Sequence, residues 1–253
     1  MTGAKAALVT GGARRIGRAI VEGLAGAGYA VAIHCLGSRS EAQALAGEIV
    51  AAGGRAQVIG ADLASSAEVA RIVPEAVSAL GPLSLLVNNA SVFEQDDIAA
   101  LDPVRFDRHM AINLRAPLLL ARDFAGQAVP SAHPAIVNII DQRVLKPDPR
   151  CFSYGLAKSG LWSATRSMAQ LLAPAIRVNA VAPGPTFPNP RDGEAGLERE
   201  AQATLIGIKV APEAIAAAVL YLAEAVHVTG QIIAVDSGQH LNWRTPDIIA
   251  TTR

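Results

Sequence analysis

The order of apolar segments constrains the fold of this chain more than any other feature. Short runs that are apolar almost throughout alternate with longer Ala- and Leu-rich stretches of helical period. Because the short runs do not alternate polar and apolar residues, they predict strands that are buried on both faces of a parallel sheet. Repeated strand–helix units with right-handed crossovers favour one doubly wound α/β domain with a seven-stranded parallel sheet flanked by helices. The predicted strands are Ala6–Thr10, Ala30–Cys35, Ala56–Ala61, Leu83–Asn88, Ala135–Ile140, Arg177–Val181 and Ile232–Val235.

The helical stretches lie between these strands, and two regions depart from the regular pattern. One long stretch is expected to form two helices with a break near Ala116-Pro117, because proline disrupts a helix interior. Residues 185–209 are rich in proline, glycine and mixed charges, which predicts a lid or a disordered loop. No linker-like stretch divides the chain, so residues 1–253 are expected to form one domain, with a substrate lid at about 185–210. The predicted helices are Arg15–Gly28, Glu41–Ala52, Ser66–Leu80, Pro103–Val129, Phe152–Leu172 and Pro212–Ala225.

The composition argues against several classes of function. The chain has 253 residues, of which 51% are apolar and 17% charged, and its net charge is zero. This balance argues against nucleic acid as the main partner, because nucleic-acid binding favours a basic face. The two cysteines, Cys35 and Cys151, form neither a disulfide framework nor a metal-binding spacing. No apolar run approaches the roughly 18 residues of a membrane span, and no signal peptide is expected before the first strand, so we expect a cytoplasmic protein.

A glycine-rich turn follows the first predicted strand, over Thr10-Gly11-Gly12-Ala13-Arg14-Arg15-Ile16-Gly17. Small residues allow the backbone to turn tightly there and to approach a pyrophosphate. The next helix offers that anion its free N–H groups and the positive end of its dipole. The turn therefore predicts a dinucleotide site, with a plain tight turn as the alternative.

The end of the second strand indicates which dinucleotide is bound. An NAD site usually places a carboxylate there to hold the ribose 2′-hydroxyl. The segment His34-Cys35-Leu36-Gly37-Ser38-Arg39-Ser40 has no acid before Glu41, whereas Arg14 and Arg39 are suited to pair with a 2′-phosphate. We therefore predict NADPH as the cofactor; the alternative is that both arginines are solvated surface charges.

Tyr154 and Lys158 lie four residues apart on a predicted helix and therefore share one face. A free phenol has a pKa of about 10, and a nearby ammonium lowers that pKa by favouring the phenolate. The pair predicts a tyrosine that exchanges a proton near neutral pH, with an ordinary helix-surface pair as the alternative. The pair follows the glycine turn and Asn88-Asn89-Ala90 in the chain and precedes Pro183-Gly184. This order makes the pattern specific.

These motifs resemble the short-chain dehydrogenase/reductase family over nearly the whole chain. The resemblance implies a Rossmann fold, hydride transfer between a nicotinamide and a small-molecule substrate, and commonly a homotetramer. It implies that Tyr154 is the acid/base, that Lys158 holds the nicotinamide ribose and tunes Tyr154, and that Asn113 positions a water for proton relay. The alternative for Asn113 is that it only marks a helix kink. Asp62 is expected to contact the adenine, and the alternative is that it caps the next helix. The expected cofactor-binding residues are Gly11, Arg14, Arg15, Ile16, Gly17, His34, Ser38, Arg39, Asp62, Leu63, Asn89, Ala90, Tyr154, Lys158, Pro183 and Gly184.

Two residues depart from the family pattern. Arg15 stands where the family usually has glycine, and Asp141 stands where it usually has serine. A serine hydroxyl donates a hydrogen bond to a substrate carbonyl, whereas an ionised carboxylate cannot donate. Asp141 is therefore better suited to hold the phenol of Tyr154 and pass it protons, or to accept N–H groups from a substrate.

Both departures occur together in the pteridine reductase branch of the family, which this chain resembles closely. The resemblance implies that Phe93 stacks on the pterin ring opposite the nicotinamide, and that Ser91 and Arg15 hydrogen-bond its polar edge. The expected substrate is a dihydropterin of the dihydromonapterin or dihydrofolate type, which is reduced to the tetrahydro form. The expected catalytic residues are Asp141, Tyr154, Lys158 and Asn113, and the expected substrate-binding residues are Arg15, Ser91, Phe93, Asp141 and Tyr154.

Simpler alternatives exist for the residues that carry this hypothesis. Phe93 would be a loop aromatic under the lid, Arg15 a solvent-facing charge, and Asp141 a loop cap. At the level of function, the alternatives are an NADP(H)-dependent ketone or 3-oxoacyl reductase of the same fold and a non-catalytic NADP-binding protein. His109 shows no pairing in the sequence and is expected at the surface, whereas Trp162, on the helix of Tyr154, favours an oligomer interface.

Overall fold

The computed structural model describes residues 5–129, 133–189 and 192–243. The strands are β1 (Ala6–Val9), β2 (Ala30–Cys35), β3 (Ala56–Gly60), β4 (Leu85–Asn88), β5 (Ala135–Ile139), β6 (Arg177–Pro183) and β7 (Ile232–Val235). They form one seven-stranded parallel sheet in the order β3-β2-β1-β4-β5-β6-β7. The predicted fold, a single Rossmann-like α/β domain, is confirmed, and every predicted strand is present with only its ends displaced by a residue or two.

Helices cover both faces of the sheet. The helix bounds are α1 (Arg15–Gly26), α2 (Arg39–Ala51), α3 (Ser66–Leu80), α4 (Pro103–Met110), α5 (Ala116–Gln127), α6 (Phe152–Leu172), α7 (Gly193–Gln202) and α8 (Pro212–Glu224). One face packs on α1, α2 and α8 through residues such as Leu24 and Val219, and the other packs on α3, α5 and α6 through residues such as Phe124. This double cover explains why the strands are apolar without alternation. Within the described ranges, no helix has the length and apolar character needed to cross a bilayer.

The strand order reverses between β1 and β4, which neighbour each other in the middle of the sheet. In open parallel sheets, ligands bind outside the carboxyl ends of the strands at such a reversal. The segments that follow β1, β4, β5 and β6 meet at this edge, and they bring together Gly11, Asn89, Asp141 and Gly184.

The predicted helix break near Ala116-Pro117 is wrong. Helix α4 runs into a π-helical turn, Ala111–Arg115, and continues as α5 with helical backbone geometry at both junctions. Pro117 has no N–H to donate to the carbonyl of Asn113, four positions earlier, and its ring would crowd that carbonyl in a regular α-helix. The wider π-turn relieves this conflict, so the helix stays continuous and carries Asn113 into the interior.

The segment after β6 is folded over much of its described part. Helix α7, Gly193–Gln202, lies within the predicted lid, and it buries Leu197 and Ala201. A disordered loop therefore does not describe this part of the chain. The sequence did not predict this helix because glycine, which lowers helix propensity, occurs twice in it, at Gly193 and Gly196. Pro190, which contributed to the lid prediction, lies outside the described residues.

Candidate active site

The glycine-rich turn after β1 is packed closely against the loop that follows β4. Gly11 has φ +61°, a left-handed conformation that favours glycine. A Cβ atom on Gly17 would lie 2.0 Å from the carbonyl oxygen of Gly11, so no larger residue fits there. The Asn89 amide donates to the carbonyls of Thr10 (2.8 Å) and Gly11 (3.1 Å), and the Ala90 N–H donates to Thr10 Oγ1 (3.0 Å). The motifs after β1 and β4 thus form one hydrogen-bonded unit at the N-terminus of α1.

His34 supports this unit from the neighbouring strand. Its Nδ1 accepts from the N–H of Gly11 (3.2 Å), so Nε2 carries the proton and donates to the carbonyl of Ala61 (3.0 Å). Burial lowers the pKa of His34, which keeps the imidazole neutral in this bridge. The ring links the ends of β1, β2 and β3, and any influence on a dinucleotide passes through the turn. Ile16, one residue into α1, packs half-buried against the core.

Basic side chains lie near the end of β2. Arg39 is the first residue of α2, and Ser38 precedes it as the N-cap. The guanidinium of Arg14 lies 3.6 Å from the carboxylate of Glu41, and both side chains are exposed. An exposed ion pair contributes at most about 1 kcal/mol, so this contact leaves Arg14 able to turn towards a phosphate.

The ends of β3 and β6 complete this side of the site. The Asp62 carboxylate accepts from the backbone N–H two residues later (2.8 Å), and its own N–H donates to Glu68 (2.8 Å). Asp62 therefore closes its own loop, and the alternative of a helix cap is wrong because Ser65 is the N-cap of α3. Leu63 beside Asp62 is buried. Pro183 ends β6, and a Cβ on Gly184 would lie 2.6 Å from Cα of Asp236. Only glycine therefore fits between the ends of β6 and β7.

Asp141 and Tyr154 meet at the carboxyl edge of the sheet. The phenol of Tyr154 donates to Asp141 Oδ2 at 2.9 Å, and both side chains are largely buried. Asp141 Oδ1 accepts from the backbone N–H of Arg143 at 2.8 Å, which caps the short 3₁₀ helix Gln142–Val144. The loop-cap alternative and the expected contact with the phenol are therefore both present.

Lys158 lies one turn further along α6. Its ammonium donates to the carbonyl of Ile139 at 2.8 Å and lies 5.8 Å from the centre of the Tyr154 ring. Burial lowers the pKa of Lys158 to about 8, against the opposing effect of the negative charge of Asp141. At neutral pH the side chain therefore keeps its charge and remains a hydrogen-bond donor.

The predicted lowering of the pKa of Tyr154 by Lys158 is wrong for this structure. Burial raises the pKa of the phenol well above its usual value, and the charge of Asp141 and the hydrogen bond to it raise that pKa further. The guanidinium of Arg143 acts in the opposite direction with a smaller effect. Tyr154 is consequently a protonated donor at neutral pH.

Asn113 holds the loop that follows β4. Its Oδ1 accepts from the hydroxyl of Ser91 (3.1 Å) and the N–H of Val92 (2.9 Å), and its Nδ2 donates to the carbonyl of Val92 (2.9 Å). The residue is fully buried in the π-turn. Its side chain is thus engaged with the loop, and its role in a water relay stays a prediction.

Phe93 and His109 flank the ring of Tyr154. Phe93 is 38% exposed and meets that ring edge-on, with centroids 4.8 Å apart. The surface position predicted for His109 is wrong: the residue is fully buried, and its ring centre lies 6.3 Å from that of Tyr154. Its Nε2 accepts from the N–H of Glu94 (3.3 Å), and its Nδ1 donates to the carbonyl of Arg105 (3.0 Å). Both partners are backbone groups, which leave no signature in a sequence.

The side chain of Arg15, the first residue of α1, contacts the segment that follows β6. Its backbone φ of +53° accounts for the glycine that the family usually has at this position. Its Nη2 donates to the carbonyl of Pro188 (3.2 Å), and its guanidinium lies 5.0 Å from the ring centre of Phe187. Arg15 is exposed, as the simpler alternative expected, but it also connects the glycine-rich turn to the predicted lid.

Arg143 is a site residue that the sequence motifs did not predict. Its Nη1 lies 3.3 and 3.2 Å from the two carboxylate oxygens of Asp141, and its guanidinium lies 5.5 Å from the ring centre of Phe93. The only sequence signal was its position two residues after Asp141, where the neighbouring charge suggests an ion pair.

A glycine turn at the reversal point of a doubly wound sheet, beside a buried Tyr–Lys pair, defines an oxidoreductase of the dinucleotide-binding type. Residues 5–192 match the model of the short chain dehydrogenase family. The chain therefore belongs to the short-chain dehydrogenase/reductase family, as its motifs predicted.

The chain is similar to individual members of this family both in structure and in sequence. The structure is similar to FolM alternative dihydrofolate reductase 1 from Brucella canis complexed with NADP, with TM-score 0.94, 48% identity and 98% of each chain covered. It is similar to the Brucella suis protein in complex with NADP, with TM-score 0.90, 48% identity, and 96% of this chain and 98% of that one covered. By sequence, it is 33% identical over 242 residues to 3-oxoacyl-[acyl-carrier-protein] reductase FabG of Staphylococcus aureus, covering 94% of this chain and 98% of the relative. The two NADP complexes agree with the predicted cofactor.

Proposed function

We propose that this protein is an NADPH-dependent pteridine reductase, which reduces a dihydropterin of the dihydromonapterin or dihydrofolate type to its tetrahydro form. The observation that carries the proposal is the 2.9 Å hydrogen bond from Tyr154 to Asp141, beside the partly exposed ring of Phe93. A carboxylate accepts the N–H groups that a pterin presents along its edge, whereas a simple ketone presents only an acceptor. The similarity to the two Brucella dihydrofolate reductases supports the same substrate class.

NADPH fits the nucleotide side of this site. The tight turn at Gly11 and Gly17 leaves the backbone at the N-terminus of α1 open to a pyrophosphate. Arg14 and Arg39 would hold the 2′-phosphate, since no carboxylate precedes Glu41 after β2. When bound, NADPH supplies the hydride of the reaction.

The proton chemistry belongs to the residues of the chain. The phenol of Tyr154 keeps its proton at neutral pH because burial and Asp141 raise its pKa. Its single O–H donates to Asp141 in this structure and would turn to a substrate nitrogen held beside it to deliver the proton. Asp141 orients the phenol and accepts N–H groups from the substrate. Lys158 presents a charged donor to the nicotinamide ribose, and Asn113 is assigned the water relay.

The pterin ring would be held by stacking and by its polar edge. Phe93 offers a ring whose offset stacking contributes about 0.5–1.5 kcal/mol beyond the area it buries. The hydroxyl of Ser91, two residues before Phe93, donates to Asn113 Oδ1 at 3.1 Å and is assigned a hydrogen bond to the pterin edge. Arg15 is assigned the same edge; its contact with Pro188 supports a role for residues 185–210 as a lid over the substrate.

Other parts of the molecule support proposals for its assembly and its compartment. Apolar side chains remain exposed on α5 and α6, including Leu118, Leu156 and Leu171. We infer that these helices, with the half-buried Trp162, form an interface of a homotetramer, which analytical ultracentrifugation would test. Cys35 and Cys151 are buried free thiols, which suits a reducing cytoplasm.

A ketone or 3-oxoacyl reductase is the second candidate, and the similarity to FabG favours it. In that case Asp141 would replace the serine that usually donates to a substrate carbonyl. The hydrogen bond that Asp141 accepts from Tyr154 weighs against this role, because an ionised carboxylate accepts hydrogen bonds and has no proton to donate to a carbonyl.

A substrate screen decides between the two. Purified protein is mixed with NADPH or NADH and with dihydromonapterin, dihydrofolate, a simple ketone or a 3-oxoacyl ester, and cofactor oxidation is followed by absorbance. We expect turnover of dihydropterins with a preference for NADPH. Turnover of ketones alone would refute the pteridine proposal, and NADPH binding without turnover of any substrate would favour a non-catalytic NADP-binding protein.

A further inference from the structure

Arg143 lies between two groups of the proposed substrate site. Its Nη1 donates to both oxygens of Asp141, at 3.3 and 3.2 Å, and its guanidinium lies 5.5 Å from the ring centre of Phe93. One arginine therefore contacts the carboxylate that holds the phenol of Tyr154 and the ring proposed to stack on the substrate. These contacts come from different parts of the chain, because Phe93 follows β4 and Arg143 follows β5.

Burial makes the ion pair between Arg143 and Asp141 matter more than one at the surface. Their side chains are 19% and 14% exposed. A charge in such surroundings is costly unless it is paired. Removal of one partner of a buried pair is strongly destabilising, because the other charge stays buried without compensation. A second carboxylate, Asp148, is 3.9 Å from Nε, and the charge of Glu200 also acts on the guanidinium. Nε has no hydrogen-bond partner among the residues that the structure describes. The hydrogen bonds from Nη1 to Asp141 and the contact with Phe93 are therefore the main restraints on this guanidinium.

The two contacts use different properties of the guanidinium. Its charge holds the Asp141 carboxylate with one oxygen turned to Tyr154, at 2.9 Å. Its cationic carbon lies over the ring of Phe93, 5.5 Å from the ring centre, and that ring stands edge-on to the ring of Tyr154, at 4.8 Å between centroids. Lysine would keep the charge but has neither the planar fork nor the flat face.

We propose that Arg143 is a positioning residue, which sets the placement of Asp141 relative to Phe93 and thereby the fit of a flat substrate between them. The part that concerns Phe93 rests on the proposed pteridine function, whereas the part that concerns Asp141 holds for any substrate that Tyr154 protonates. Arg143 acts through these two residues and does not itself take part in proton transfer.

Arg143→Gln and Arg143→Lys test this proposal in steady-state kinetics with NADPH and dihydromonapterin. Arg143→Gln should lower kcat/KM about 10- to 100-fold, the effect of losing one hydrogen bond to a charged group, with a lower kcat and a higher KM. Arg143→Lys should recover most of kcat, through its charge beside Asp141, but little of the change in KM. NADPH affinity, measured by fluorescence titration, should stay unchanged in both variants and so shows that they are folded.

Arg150→Gln is the matched control. Arg150 is a second arginine of the same loop and bonds to Asp148, at 2.9 Å, but its side chain is 75% exposed. It should leave both kinetic constants near their wild-type values. Equal effects of Arg143→Gln and Arg150→Gln on the kinetic constants would overturn the proposal. It would also be overturned if Arg143→Gln weakened NADPH binding as much as it lowered kcat/KM.

A double-mutant cycle with Phe93→Ala separates positioning from general destabilisation. If Arg143 acts on KM through the ring of Phe93, Arg143→Gln should change KM only slightly in a protein that already carries Phe93→Ala. Fully additive effects of the two substitutions on KM would refute the action through Phe93. A wild-type protein that reduces ketones but no dihydropterin would refute the proposed function. In that case, loss of kcat with the ketone in Arg143→Gln, but not in Arg150→Gln, would still support the action on Asp141, and unchanged kcat would overturn it.

Discussion

Replacement of Asp141 by asparagine changes the charge at the centre of the site with little change in shape. Asp141 Oδ2 accepts from the phenol of Tyr154 at 2.9 Å, and Oδ1 accepts from the N–H of Arg143 at 2.8 Å. Asparagine can keep the second bond with its carbonyl oxygen, but its amide group then faces the phenol. Loss of a hydrogen bond to a charged group costs about 1.5–3 kcal/mol, so kcat/KM for a dihydropterin should fall about 10- to 150-fold.

The same variant should shift the pH dependence of the reaction. Both the charge of Asp141 and its hydrogen bond raise the pKa of Tyr154, so removing the charge lowers that pKa. The proposed reduction needs the protonated phenol, and a lower pKa means that the phenol loses its proton at lower pH. The part of the alkaline decline in activity that belongs to Tyr154 should therefore begin at lower pH in Asp141→Asn than in the wild type.

Asp148→Asn is the matched control for this experiment. Asp148 is similarly buried, at 18% exposure against 14% for Asp141, and it also faces Arg143, but the phenol donates to Asp141. The assay follows NADPH absorbance across a range of pH, with NADPH affinity measured separately. Equal losses in the two variants, or an unchanged kcat in Asp141→Asn, would refute the reasoning and leave Asp141 as a loop cap.

Three further predictions concern the substrate ring, the nucleotide turn and the buried ammonium. Phe93→Ala should raise KM for a dihydropterin about tenfold without weakening NADPH binding; Leu101→Ala, at a similarly exposed side chain (37% against 38%), is its control, and equal effects would count against stacking. Gly17→Ala should weaken NADPH binding in calorimetry and lower Tm, because its methyl group would lie 2.0 Å from the carbonyl oxygen of Gly11; wild-type affinity would contradict this. Because the pKa of Lys158 is lowered to about 8, its charge is lost as pH rises through that value, and kcat/KM should decline there. Lys158→Arg, if active, should remove this decline, since guanidinium stays charged; persistence of the decline would assign it to another group.

Much of the fold and several site positions could be predicted from local patterns. The strands were predictable because a sheet covered on both faces requires apolar residues at successive positions. The placement of Gly11, Asn89 and Asp141 at one edge followed from parallel topology, since the carboxyl ends of parallel strands lie together. The hydrogen bond between Asp141 and Tyr154 was one of two expectations for Asp141, because an ionised carboxylate accepts hydrogen bonds and cannot donate to a carbonyl, and the structure contains it.

The errors occur where a local signal has two structural solutions. Pro117 indicated a break, but a π-turn accommodates the missing N–H within a continuous helix. His109 lacked a polar partner in the sequence, yet backbone groups satisfy both of its nitrogens in the interior. Backbone partners depend on how loops approach each other, so residue identity does not reveal them.

By itself, the amino-acid sequence determined the doubly wound sheet, the glycine turn at its reversal point and the presence of an acid near the reactive tyrosine. Only the tertiary structure decided the protonation behaviour of Tyr154 and the place of Arg143 between Asp141 and Phe93. A pKa depends on how far water is excluded and on charges brought within a few ångströms. Burial raises the pKa of Tyr154 most, and the charge of Asp141, on another segment, raises it further, in place of the lowering expected from Lys158 on the same helix.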